Sequence, residues 1–235
     1  MINNKYNPMQ IIAHRGASAL EPENTLKSFI KAMKLGVDMV ECDVRTTLDG
    51  QLVIHHDPYL DRTTNGTGLV KNKSLSELRQ LNAGDGERIP TLREAIDTVK
   101  GQVGMVIEVK DPGSEEKILN LIKEEKIAAE VIIASFYHRV SLNIKSLDPE
   151  ISTGVIFACQ PINSVAMAID AQADIIFPQY QYLNKLMVDE AHDHGIKVVA
   201  GVIDDPITVE NVVSWEVDAV VTNNPTIMKF VFPFD

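Results

Sequence analysis

A chain of 235 residues, with 45% hydrophobic and 6% aromatic residues, suits a globular α/β protein of one large domain or two small ones. Its formal net charge of −11 argues against general nucleic-acid binding and against a polybasic membrane anchor, since both need a basic surface. No apolar run of about 18 residues predicts a transmembrane helix, and residues 1–8 contain no apolar signal core. The two cysteines, Cys42 and Cys159, are expected to be small buried residues in a reducing compartment, which favours the cytoplasm. The oligomeric state stays open.

Short apolar, β-branched runs alternate with amphipathic helical stretches along the whole chain. Eight of these runs are each followed by a helical pattern, which predicts a (β/α)8 TIM barrel. A doubly wound open sheet is the alternative, but no Gly-rich turn marks a nucleotide site. The predicted barrel strands are Gln10–His14, Val37–Arg45, Met105–Lys110, Val131–Phe136, Ser152–Phe157, Asp174–Pro178, Lys197–Ile203 and Asp218–Thr222.

An extra strand, Gln51–His56, is predicted to return antiparallel along the second barrel strand. Asp49-Gly50 is typical of a two-residue hairpin turn in which both residues have positive φ. Such a turn would place Asp43 directly opposite His56, so that both share one face, and His55 would point away. A slip of one residue in the register would exchange the two histidines.

The polar segment 58–90 is predicted to be a small insertion after this hairpin, within a single domain that spans residues 1–235. Its one expected helix, near Ser74–Leu81, begins with a capping box formed by Ser74 and Glu77. A second capping box, formed by Thr91 and Glu94, marks the helix that follows the insertion. In a barrel, insertions on the catalytic face help to shape the substrate site.

Charged side chains gather at the carboxyl ends of the early strands, and these ends converge on one site in a barrel. Three carboxylates without cysteine suit a hard cation, Ca²⁺ or Mg²⁺, although a buried ion network is the alternative. An arginine and a lysine suit a phosphate group, and two histidines suit proton transfer in both directions. Together they indicate hydrolysis of a phosphate ester. The candidate residues are His14, Arg15, Glu41, Asp43, His56, Glu108 and Lys110.

Several motifs in order along nearly the whole chain resemble the glycerophosphodiester phosphodiesterase family. The resemblance implies a phospholipase-C-like barrel that hydrolyses a small-molecule glycerophosphodiester to sn-glycerol 3-phosphate and an alcohol. The matching motifs are His14-Arg15-Gly16-Ala17, Pro22-Glu23-Asn24-Thr25, Glu41-x-Asp43, His56-Asp57, Leu60-Asp61-Arg62-Thr63-Thr64, Ile89-Pro90-Thr91-Leu92, Glu108-x-Lys110, Ser135-Phe136 and Val221-Thr222-Asn223-Asn224-Pro225.

The same resemblance implies roles for individual residues. Glu41, Asp43 and Glu108 match the metal ligands, His14 and His56 match the general acid/base pair, and Arg15 and Lys110 match the phosphate contacts. Neither the choice between Ca²⁺ and Mg²⁺ nor the division of acid and base between the histidines follows from the sequence.

The C-terminal part departs from the family pattern at residues 199–204, where a Trp-Thr-Val-Asn-like stretch is usual and no aromatic residue is present. The tryptophan would form a wall of the substrate pocket, so the head group stays unassigned. Two alternatives remain: a related phosphodiesterase that acts on a lysophospholipid or phosphoinositide, and a barrel that binds a phosphodiester without catalysis.

Overall fold

The computed structural model of the protein describes residues 9–231, and its centre is a closed barrel of eight parallel strands with a ninth strand outside. This architecture confirms the predicted (β/α)8 barrel with an extra hairpin strand. The strands are β1 (Gln10–Ala13), β2 (Met39–Thr46), β3 (Leu52–Ile54), β4 (Gly104–Val109), β5 (Val131–Ser135), β6 (Ser152–Phe157), β7 (Ile175–Pro178), β8 (Lys197–Ala200) and β9 (Ala219–Thr222).

Parallel pairing runs from β2 through β4, β5, β6, β7, β8 and β9 to β1, and the pairing of β1 with β2 closes the barrel. Strand β2 pairs with three strands, because β1 and β3 pair with different parts of the same edge. Met39 and Val40 pair with β1, Val44 to Thr46 pair with the antiparallel β3, and the other edge pairs with β4. The extra strand therefore leaves the closure of the barrel intact.

Helices alternate with the barrel strands and cover their outer face. They are α1 (Leu26–Lys34), α2 (Leu75–Leu78), α3 (Leu92–Val99), α4 (Glu115–Glu125), α5 (His138–Leu147), α6 (Ser164–Asp170), α7 (Lys185–Asp193), α8 (Pro206–Ser214) and α9 (Met228–Val231). No helix within residues 9–231 is both long and apolar enough to cross a membrane.

Local sequence signals fix several helix ends. The predicted capping boxes at Ser74 and Thr91 are present, and each side-chain oxygen accepts a hydrogen bond from the backbone N–H three residues later. Asp205 caps α8 in the same way, with Pro206 in the first turn. Because these caps satisfy N–H groups that lack helical partners, the helices start where the pattern predicts.

The hairpin register differs by one residue from the prediction. Val44 pairs with Ile54, and the His55 N–H donates to the Asp43 carbonyl, so Asp43 opposes His55 and not His56. The Thr47 N–H donates to the Gln51 carbonyl at 3.0 Å, so the turn has three residues, and of Asp49 and Gly50 it is Gly50 that has positive φ, 73°. The Thr47 hydroxyl also binds the Asp49 carboxylate at 2.6 Å.

Apolar side chains fill the interior of the barrel beneath the carboxyl ends of the strands. They include Ile12, Val106, Phe177 and Val221, while a larger apolar layer lies between the strands and the helices. The Phe177 ring fits because it lies over Gly154 of β6: a Cβ there would lie 2.2 Å from the ring. This packing gives the site above it a rigid floor.

Residues 58–90 pack around a small apolar cluster of their own that includes Leu60, Val70, Leu78 and Ile89. Helix α2 lies in this segment, close to its predicted position. The expectation for the cysteines is correct for Cys42, which is buried, and wrong for Cys159, which lies beyond the end of β6 and is exposed.

Candidate active site

A cavity of about 340 Å³ opens at the carboxyl ends of the barrel strands, and its two halves differ in chemistry. One half is charged and comes from β1, β2, β4 and the end of β3, with the lining residues His14, Arg15, Glu41, His56, Glu108 and Lys110. The other half is apolar or uncharged and comes from the β5–β9 side, with the lining residues Phe136, Ile156, Phe177, Pro178, Gln179, Gln181, Val199, Gly201, Val202 and Val221.

Glu41, Asp43 and Glu108 form a buried group of carboxylates on the charged side. One oxygen of each lies within 4.8 Å of the others. Glu41 and Asp43 share a face because they alternate along β2, and Glu108 stands beside Asp43 because these two residues pair between β2 and β4. Strand geometry alone therefore brings the three side chains together.

Two cations hold Asp43, which is fully buried beneath the cavity. Arg15 Nε lies 3.1 Å from one Asp43 oxygen and Lys110 Nζ lies 3.0 Å from the other, while the Asn24 amide donates to the carboxylate at 2.7 Å. Lys110 also pairs with Glu108. Burial opposes the ionisation of Asp43, but Lys110 and Arg15 outweigh it and hold its pKa at about 2.

The other two carboxylates are poorly compensated. Burial and the neighbouring Asp43 raise the pKa of Glu108 to about 7 and that of Glu41 well above its usual range. Glu41 Oε2 accepts the Arg15 backbone N–H at 2.8 Å, but the buried Glu41 Oε1 has no hydrogen-bond partner. Burying a carboxylate oxygen without a partner costs free energy. A divalent cation held by Glu41, Asp43 and Glu108 would give this oxygen a partner.

The turn after β1 aims the Arg15 N–H at Glu41. Arg15 and Gly16 both have positive φ, 55° and 78°, and a Cβ at Gly16 would lie 2.3 Å from the Ser28 hydroxyl oxygen. Glycine is therefore required at this position of the turn.

His14 is oriented by a hydrogen-bonded chain from the last barrel strand. Its Nδ1 lies 2.7 Å from Asn223 Oδ1, and the Asn223 Nδ2 donates to Asp204 at 2.6 Å. Because Asp204 engages the amide nitrogen, the amide oxygen faces the ring and His14 Nδ1 carries the hydrogen. The unprotonated Nε2 lies 4.0 Å from Glu41 Oε2. Burial and the nearby Arg15 lower the pKa of His14 to about 4.

His56 lines the same cavity, whereas His55 does not. His56 Nδ1 lies 2.6 Å from Asp57 Oδ1, which leaves Nε2 as the ring nitrogen available to the cavity. His55 is buried and its Nε2 lies 3.1 Å from the Tyr59 carbonyl oxygen. The register slip did not exchange the histidines because regular pairing ends at Ile54, and the chain turns before the alternation of faces continues.

The structure places all seven candidate residues at this cavity or directly beneath it. The sequence predicts no site role for five residues that orient them: Glu23, Asn24, Asp57, Arg62 and Asn223. Asn223 could have been found by the rule that selected His14, since it too follows a barrel strand at its carboxyl end. Asp204 orients Asn223, whereas the neighbouring Asp205 caps α8.

Comparison with known proteins places the chain in a family. Residues 14–227 match the model of the glycerophosphoryl diester phosphodiesterase family. A glycerophosphodiester phosphodiesterase of Caldanaerobacter subterraneus subsp. tengcongensis is 37% identical over 228 residues, which cover 92% of this chain and 94% of that protein.

Solved structures agree with this assignment. An Oleispira antarctica phosphodiesterase, determined in complex with the product sn-glycerol-3-phosphate, superposes with a TM-score of 0.86 at 32% identity and covers 94% of this chain and 96% of its own. A glycerophosphodiester phosphodiesterase from Agrobacterium tumefaciens superposes with a TM-score of 0.84 at 27% identity, covering 93% and 98%. The chain therefore belongs to the glycerophosphoryl diester phosphodiesterase family.

Proposed function

We propose that this protein hydrolyses glycerophosphodiesters to sn-glycerol 3-phosphate and an alcohol, with one divalent cation, Ca²⁺ or Mg²⁺. The observation that carries the proposal is the buried triad of Glu41, Asp43 and Glu108 beside two cationic side chains. Glu41 Oε1 has no hydrogen-bond partner there. A bound cation would neutralise the charge that develops on the phosphate oxygens.

Arg15 and Lys110 are suited to bind the phosphate group. Both line the cavity, and both already sit beside Asp43, which keeps their charges in place. Arg15 Nε and Nη1 bind Asp43 and Glu23, so a fixed guanidinium presents Nη2 to a phosphate oxygen, whereas the Lys110 ammonium acts as a point charge. We therefore assign orientation of the phosphate to Arg15 and charge neutralisation to Lys110.

The partners of the two histidines support different roles. Burial and Arg15 lower the pKa of His14 to about 4 and so favour a neutral ring, and the hydrogen bond of Nδ1 to Asn223 leaves Nε2 free, so His14 takes the proton of the nucleophile. The nucleophile is either water or the 2-hydroxyl of the substrate glycerol. Burial lowers the pKa of His56, and the Asp57 carboxylate at Nδ1 partly offsets this by favouring the protonated ring. We therefore assign to His56 the proton that is donated to the leaving alkoxide.

Release of sn-glycerol 3-phosphate from glycerophosphocholine tests the proposal. The purified protein is expected to release sn-glycerol 3-phosphate. This activity should be lost after EDTA treatment and should return when Ca²⁺ or Mg²⁺ is added back. Lysophosphatidylcholine, assayed in parallel, tests whether an acylated substrate is preferred. No release from any glycerophosphodiester with either ion would favour a barrel that binds without catalysis.

Histidine variants test the acid/base assignment. His14→Ala and His56→Ala are each expected to lower kcat about 10²–10⁴-fold, because each removes one proton-transfer group. His192→Ala is the matched control. His192 also pairs with a carboxylate, that of Asp218, but it lies near the end of α7 and does not line the cavity. Wild-type turnover in either cavity variant would overturn its assigned role.

A further inference from the structure

Arg62, in the insertion after the hairpin, bridges two carboxylates that each hold a residue of the cavity. Its Nε and Nη2 donate to Asp57 at 2.6 and 3.1 Å. Its Nη1 and Nη2 donate to Glu23 at 2.7 and 2.8 Å. All three guanidinium nitrogens are used, and both carboxylates are bound through two oxygens, which is the geometry that only arginine provides.

Each carboxylate shares one oxygen between Arg62 and a cavity residue. Asp57 Oδ1 accepts from Arg62 and lies 2.6 Å from His56 Nδ1. Glu23 Oε1 accepts from Arg62 and from Arg15 Nη1 at 2.8 Å. A single guanidinium thus joins the histidine on one side of the cavity to the arginine on the other.

The backbone around Arg62 is held in place by the small core of the insertion. Leu60 is fully buried in that core, and its N–H donates to the Gly68 carbonyl. The Thr64 hydroxyl and N–H both donate to the Leu60 carbonyl. Arg62 therefore lies in a loop whose backbone is held by hydrogen bonds, and this fixes the position of its Cα relative to the two carboxylates.

Arg93 provides an internal comparison. It also pairs with two carboxylates, Glu124 and Glu125, and its side chain is 49% exposed against 48% for Arg62. Its partners lie on α4, and none of the three lines the cavity. Exposed ion pairs of this kind contribute little to stability. The Arg93 network joins surface elements only, whereas the Arg62 network also reaches two residues of the cavity.

We propose that Arg62 is a positioning residue, which acts on the reaction through Asp57 and Glu23 without touching the reacting atoms. The proposal rests on the proposed function. Through Asp57, Arg62 fixes the hydrogen on Nδ1 of His56 and keeps Nε2 toward the cavity. Through Glu23, it limits the swing of Arg15, whose Nε stays beside Asp43. The insertion thereby contributes to the orientation of both groups.

Kinetics of the full-length protein test this role. Arg62→Ala is expected to lower kcat on glycerophosphocholine about 10–100-fold, the range usual for residues that orient a first ligand or base. Arg62→Lys is expected to stay impaired, because an ammonium cannot bind both carboxylates through two oxygens. Arg93→Ala is the matched control and is expected to keep wild-type kcat. Wild-type kcat and KM in Arg62→Ala would overturn the proposal.

A double variant separates positioning from loss of structure. In a His56→Ala background, adding Arg62→Ala is expected to lower kcat by a smaller factor than in the wild-type background, since the route through His56 is gone and only the route through Glu23 and Arg15 is left. A loss as large as in the wild-type background would overturn the proposed action through His56. The melting temperature of each variant is measured alongside, and a loss of activity that follows only a loss of folding also counts against the proposal.

Imidazole nitrogen spectra provide a readout that does not need catalysis. In long-range proton–nitrogen spectra, neutral His56 is expected to carry its hydrogen on Nδ1 in the wild type and to shift toward Nε2 in Arg62→Ala. An unchanged hydrogen position in Arg62→Ala would overturn the proposal. If the wild type releases no sn-glycerol 3-phosphate, the proposed function fails, and these spectra still decide whether Arg62 positions His56.

Discussion

Replacing Glu41 by glutamine is expected to remove the stabilisation by a divalent cation while changing the metal-free protein little. In the metal-free protein, burial raises the pKa of Glu41 well above its usual range, so that a neutral amide of the same shape substitutes closely. The amide oxygen can still accept the Arg15 N–H that Glu41 Oε2 accepts. The carboxylate charge that would hold the cation is lost.

The magnitude follows from mass action. A cation at a hundred times its Kd stabilises the folded wild type by about 2.7 kcal/mol. For a domain of this size, each kcal/mol raises Tm by about 2–4 °C, which gives a wild-type shift of about 5–11 °C. If Glu41→Gln weakens binding about 100-fold, the same concentration gives about 0.4 kcal/mol and a shift of about 1–2 °C.

The assay is thermal unfolding of wild type and variant, first with EDTA and then across a series of Ca²⁺ and Mg²⁺ concentrations. Glu116→Gln is the control for the change in charge, because Glu116 is exposed on α4 away from the cavity. The reasoning is refuted if Glu41→Gln shows the wild-type shift, or if neither ion moves Tm of the wild type at concentrations up to the millimolar range.

Three further predictions concern the scaffold. Gly154→Ala is expected to destabilise the protein by about 1–3 kcal/mol in urea unfolding, because its Cβ would lie 2.2 Å from the Phe177 ring. Adding Phe177→Leu should recover part of this loss, and a double variant whose loss equals the sum of the two single losses would contradict the prediction. Asn184→Ala is expected to cost about 1 kcal/mol, since the Asn184 side chain caps α7, and an unchanged urea midpoint would contradict the cap. Burial opposes the charge of Glu94, but the Thr91 N–H and Arg79 lower its pKa, so Glu94→Gln should be less stable than wild type at pH 7. The difference should begin to close as the pH falls below about 4.5 and should vanish once the pH is below the lowered pKa of Glu94 in the folded protein. A difference in stability that does not shrink with falling pH would contradict this account.

The barrel was predictable because its determinants are local. Continuous apolar runs fit parallel strands covered on both faces, and capping boxes mark helix starts within a few residues. The strand predicted as Lys197–Ile203 nevertheless ends at Ala200. Gly201 follows it, where a Cβ would lie 2.6 Å from the Val221 Cβ on the neighbouring strand β9, and such a contact between residues far apart along the chain is not visible in the local pattern.

The site was less predictable where it depends on single hydrogen bonds. The hairpin has a three-residue turn in which Gly50 but not Asp49 has positive φ, which shifts its register by one residue against the expectation from the Asp-Gly pair, and the Thr47 hydroxyl binds Asp49 within this turn. His56 still lines the cavity, but because strand pairing stops before it, which is a different reason from the predicted one. The role of Asn223 depends on its amide orientation, which Asp204 sets from another loop.

Charged and uncharged residues line opposite arcs of the cavity. Every charged lining residue comes from the β1–β4 side, and the β5–β9 side offers only aliphatic, aromatic, glycine, proline and amide groups. Under the proposed function, substitutions at Val199, Val202 or Gln181 are expected to alter which alcohol fits while leaving the proton carriers and the carboxylates in place. A variant library confined to this second arc would therefore test new head groups against the same set of charged residues.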